Sequence, residues 1–176
     1  TNSKISLSNN DSGGTGGSDS TSGNTIFGYL AGTSVASGGL GNTLVGHKAG
    51  TAVSTGDENI AIGNNAGATI DTGFNNVIMG TGAGDAFDAE RDNVFIGHQC
   101  ADGAINGADH CVVIGSEAFR GAATVDGTVA IGSGALAALT SGARNMAIGY
   151  GAGVALTTSS DNIIIGYGAM DTATTN

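Results

Sequence analysis

The chain has 176 residues, of which 33 are Gly and none is Pro or Trp; aromatics make up 5% and hydrophobic residues 40%. So few large side chains exclude an ordinary globular core, while that much apolar content is too high for a disordered chain. A formal net charge of −10 opposes any electrostatic grip on nucleic acid or an anionic membrane, and no stretch approaches the roughly 20 apolar residues that span a bilayer.

Residues 1–23 stand apart from the rest. TNSKISLSNN alternates Ile5 and Leu7 with polar residues as a short strand would, and DSGGTGGSDSTSG reads as a flexible Gly/Ser linker. The predicted organisation is an N-terminal arm over 1–23 and a repeat domain over 24–176. Thr1 in first place implies a processed chain or a fragment of a longer one.

From Gly28 onward a short apolar run ends in glycine nine times, at Gly28, Gly46, Gly63, Gly80, Gly97, Gly115, Gly132, Gly149 and Gly166. The steps between them are 17 or 18 residues, a period so short and regular that it predicts an all-β parallel solenoid of nine coils, each burying its apolar face on its neighbours. Three and one residues before the glycine, β-branched residues dominate (Val77, Val94, Ile62, Ile96), and these alternate positions are expected to point into the coil. Ala31, Ala49, Ala66 and their equivalents, three after the glycine, and Val53, Ile70 and Leu139, seven after, form the facing wall.

Four before the glycine lies an asparagine column, Asn24, Asn42, Asn59, Asn76, Asn93, Asn145 and Asn162, interrupted by Cys111 and Thr128. Stacked amides can bond from coil to coil as a ladder, so this column reads as structural.

Two before the glycine the column is Ile26, Leu44, Ala61, Ile78, Phe95, Val113, Ala130, Ala147 and Ile164. If its neighbours face inward, these residues face outward, and an apolar stripe along the whole array predicts a lengthwise homo-oligomer contact, most simply three chains around an axis. With no polar cap at either end of the array, head-to-tail polymerisation through the arm, with Ile5 and Leu7 added as an edge strand, is a further expectation.

The units NTLVGHKAG, NIAIGNNAG, NVIMGTGAG, NMAIGYGAG and NIIIGYGAM resemble the repeats of YadA-like trimeric adhesin heads and of bacteriophage tail fibres. The resemblance covers Asn24 to about Ala173, although the period here is longer and more regular. It implies a left-handed, trimeric β-roll displayed on a cell surface or virion and used in attachment.

Chemistry is sparse. Cys100 and Cys111 replace the alanine and asparagine columns of one junction and are either a disulfide pair or two free buried thiols. With His98 and His110 they lack zinc-ligand spacing, so no metal and no cofactor is expected. No nucleophile, metalloprotease or phosphate-loop motif is present, and the acidic residues read as a solvated face. Tyr29, His47, Tyr150 and Tyr167, just after the glycine, are expected to face outward, where they can cover backbone or contact a cell-surface glycan or receptor. The reading is therefore a non-enzymatic extracellular attachment protein. A self-assembling filament is the alternative, and an ice-binding solenoid or a polysaccharide-cleaving enzyme are lesser ones.

Overall fold

The computed structural model describes residues 22–103, 107–121 and 125–172. The arm call, with Ile5 and Leu7, lies almost wholly outside the described residues. Within them the chain is a β-solenoid whose nine three-residue strands are β1 (Thr25–Phe27), β2 (Thr43–Val45), β3 (Ile60–Ile62), β4 (Val77–Met79), β5 (Val94–Ile96), β6 (Val112–Ile114), β7 (Val129–Ile131), β8 (Met146–Ile148) and β9 (Ile163–Ile165). They pair in chain order in one parallel sheet, and each residue sits beside its equivalent one repeat on, as Ile60 beside Val77.

Each strand ends at the repeat glycine because the next coil presses against it. Gly63 has φ +140°, and a Cβ placed there would lie 2.5 Å from the carbonyl oxygen of Gly80, so only glycine lets the backbones stack. A tight turn follows: the Ala49 N–H donates to Gly46 O at 3.4 Å and the Val53 N–H to Gly50 O at 3.2 Å. Coil-to-coil bonds such as Lys48 N–H to Tyr29 O (2.9 Å) hold the turns in register.

The asparagine ladder forms. The backbone N–H and Nδ2 of Asn59 both donate to Asn42 Oδ1 (2.9 and 3.1 Å), and Asn59 Nδ2 also reaches Gly73 O (2.8 Å). Asn76 and Asn93 repeat the pattern, and all four side chains are buried. Cys111 keeps one bond, from its N–H to Asn93 Oδ1 (2.8 Å), but Thr128 Oγ1 is buried with no partner.

The two strand faces are the reverse of the sequence expectation. Leu44, Ala61, Ile78, Phe95, Val113, Ala130, Ala147 and Ile164 are buried inside the coil and Ile26 packs against that core, so this column is not an outward stripe on the chain. The columns on either side of it, three and one before the glycine, face out, as in the 58% exposure of Phe27 and the 75% of Ile163. The reason is the thinness of the coil. The core column confronts the alanine column and the corner glycines across a gap so narrow that a Cβ at Gly50 would meet Leu44 Cδ2 at 2.6 Å. Large residues of the core column therefore lie against the corner glycines. Ala147 is roofed by Leu136 and Ile164, whose methyls converge on Gly153, and Phe95 meets Phe87 edge to face at 5.3 Å.

Phe119 and Leu136 are fully buried corner residues that the column pattern does not announce, because they stand where other coils have glycine and adopt its left-handed backbone (φ 53° and 52°). The facing wall is as expected where described: Ala49, Ala66, Ala83, Ala118, Val53, Ile70 and Leu139 are all buried.

Candidate functional site

Cys100 and Cys111 are free and buried, which corrects the disulfide alternative. They occupy different corners of the coil, one on the turn wall and one at the asparagine corner, where Cys111 Sγ lies 3.3 Å from Val125 O. Burial pushes their thiols up to about 12 and about 11 respectively, so neither is a nucleophile near neutral pH. His110 Nε2 lies 3.6 Å from Asp92 Oδ2, and no group of three or more His, Cys, Asp or Glu that could hold a metal gathers among the described residues. Asp85 has its carboxyl pKa raised by burial and then by the charge of Asp102, which in turn is bridged by Arg120 Nε at 3.3 Å. No helix of the described residues is long and apolar enough to cross a membrane.

Two surface features stand out. The first is the outer face of the sheet. Its two columns, Thr25 to Ile163 and Phe27 to Ile165, comprise 18 positions, of which Thr25 and Thr43 are the only polar ones and none is charged. They form two apolar rows running the length of the solenoid. From the ~4.8 Å strand spacing and ~3.3 Å rise per residue, the face measures roughly 40 by 10 Å, about 400 Å². An area of that order equals the largest apolar patch of a typical monomer, which is often an interaction surface.

The second lies beside the C-terminal coils. The column after the glycine faces out, as expected, and its aromatic members pair up: Tyr29 stacks on His47 (centroids 5.6 Å apart, planes 13° apart) and Tyr150 on Tyr167 (5.4 Å, 12°). Next to the second pair runs a trough of about 300 Å³ lined by Tyr150, Tyr167, Ser133, Glu117, Val154 and Asp171. Its floor is the next column, which is Gly134, Gly151 and Gly168 there but Leu30 and Lys48 beside the first pair. The four residues named from sequence thus divide, and Tyr150 and Tyr167 are the two that line this trough. Ser133, Glu117 and Asp171 were missed; three glycines in consecutive coils of a column that carries side chains in five of the other six coils, all but that of Gly82, were the signal for them.

Comparison with protein-family models, with curated proteins and with solved structures returned no match.

Proposed function

We propose that the chain is a non-enzymatic structural and attachment module, a rigid multimeric β-solenoid working in a surface fibre, adhesin head or phage tail fibre. The observation that carries this reading is the uncharged apolar outer face of the sheet. A single chain in water would leave these rows of Val, Ile, Met and Phe wet, whereas three copies with the faces turned to a common axis would bury them along the whole length. The interface residues therefore differ from those named from sequence: the partner-facing rows are Val77, Met79, Ile96, Ile131 and their equivalents, one step to either side of the core column. The repeat resemblance supports the same assembly and a place outside the cell.

Solution mass by light scattering tests it. Wild type is expected as a trimer. Met79→Asp with Ile131→Asp is expected to give a folded, smaller species, because each substitution places an uncompensated charge in the interface of every subunit while leaving the coil interior alone. A wild-type monomer, or a double variant that still assembles normally, rejects the reading. Ile78→Asp, by contrast, is expected to unfold the chain whatever the assembly state, since Ile78 is core.

A further inference from the structure

We infer that the C-terminal trough is a saccharide site that takes a neutral or amino-bearing pyranose and rejects acidic sugars. This deepens the attachment reading and rests on it for the origin of the sugar.

The argument begins with the direction of the tyrosine rings. Their centroids are 5.4 Å apart and their planes nearly parallel. Since neighbouring coils lie ~4.8 Å apart, the rings stand across the solenoid axis and their faces look along it. One face of Tyr150 is covered by Tyr167. The other looks toward the preceding coil, where the same column holds Ser133, too short to cover it. A third ring is missing from the stack, and the trough opens at that level.

The floor leaves room for it. A Cβ on Gly134 or Gly151 would have no heavy atom within 4 Å, so these positions border open space. The floor backbone is nonetheless fixed, with Gly134, Gly151 and Gly168 N–H donating to Ser116, Ser133 and Tyr150 carbonyls at 3.0, 2.9 and 2.8 Å. A ring laid on the free face of Tyr150 therefore enters a formed slot.

The polar groups around the slot select the ring. A pyranose turns a C–H face to the tyrosine and its hydroxyls to the edge. There Ser133 Oγ can donate and accept, and the Glu117 carboxylate, steadied by Arg120 Nη1 at 3.1 Å, accepts from hydroxyl or ammonium. Glu117 bounds one end and Asp171 the other. Two carboxylates on a chain of net charge −10 repel uronate, sialate or sulfate groups.

The test uses the full chain and three probes: a neutral glucose oligomer, a glucosamine oligomer and a galacturonate oligomer, each titrated by isothermal calorimetry and ligand-observed NMR. Binding of the first or second at millimolar strength or better, with the acidic oligomer silent, is expected. Tyr150→Ala should weaken it by about tenfold. Gly151→Asn should abolish it with melting unchanged, because Asn65 already occupies the same column with the same left-handed backbone (φ 55°) while the new amide fills the slot. Failure of both non-acidic oligomers, equal binding of the acidic one, or a Gly151→Asn variant that binds like wild type overturns the inference. Mass measurement on the same samples separates the two readings: a trimer that binds no sugar sinks this inference alone, and a monomer that binds sugar sinks the assembly.

Discussion

Replacing Asn76 with alanine removes the central rung of the ladder. Asn76 is fully buried. Its Nδ2 donates to Asn59 Oδ1 (3.0 Å) and Glu90 O (2.9 Å), and its Oδ1 accepts from the Asn93 N–H (3.1 Å) and Nδ2 (3.2 Å). All four bonds go. The backbone N–H of residue 76 still reaches Asn59 Oδ1, and Asn93 Nδ2 still reaches Arg91 O, so those groups keep a partner. The groups bereaved are the Asn93 N–H and the Glu90 carbonyl, at a cost of about 1–3 kcal/mol each, or roughly 4 kcal/mol together. For a domain of this size that lowers the melting temperature by roughly 10 °C, read by circular dichroism or calorimetry. In a solenoid the loss should concentrate at the contact between the fourth and fifth coils, so amide exchange ought to rise first around Asn93. A shift below about 2 °C would refute the claim that the ladder holds the coils together.

Thr128→Asn supplies the missing rung where Thr128 Oγ1 is now buried without a partner; it should raise the melting temperature by a few degrees, about 1–2 kcal/mol, and a fall would show that the corner cannot seat an amide. Gly63→Ala drives a Cβ against the Gly80 carbonyl and should cost about 3 kcal/mol or more, so a soluble variant that melts like wild type would disprove the close stacking of the repeat glycines. Because burial raises the Cys100 and Cys111 thiols from 9.0 to about 12 and about 11, the folded chain holds protons that the unfolded chain releases above pH 9. Their contribution is complete below pH 9 and is lost as pH climbs through 11 and 12, with a slope of up to about 2.7 kcal/mol per pH unit for the pair. A Cys100→Ala, Cys111→Ala variant should show a flatter alkaline limb in denaturant titrations, and thiol reagent should find both sulfurs only after unfolding.

The period, the strand positions, the alanine wall and the asparagine ladder were all legible because each is a column in which one physical constraint recurs coil after coil. The direction of the strand was not. When Val77-Ile78-Met79 is apolar at all three positions, alternation carries no information about which side is the interior. Size does: the inner column admits alanine at Ala61, Ala130 and Ala147, as a thin core must, while the outer columns contain no alanine. Corners were also opaque. Glu58, Asn75, Asp92 and Arg144 all precede the asparagine column with φ near 57°, though none of the four is the glycine that the same corner has at Gly41. The trough escaped notice because it is made by absent side chains, and a motif search sees only what is present.

The ladder of amides has a direction. From Asn42 to Asn93 each side-chain oxygen accepts from the following coil, while the backbone N–H and Nδ2 donate to the oxygen of the preceding one, as from Asn59 to Asn42 Oδ1 and from Asn76 to Asn59 Oδ1. The side-chain dipoles therefore add along the axis instead of cancelling, and each bond polarises the next. A coil set down in the same sense continues the series, donor to acceptor. One set down inverted would bring oxygen against oxygen at one end of the column and N–H against N–H at the other. The solenoid is thus a vector, and any end-to-end contact built on this column can be made in one orientation only.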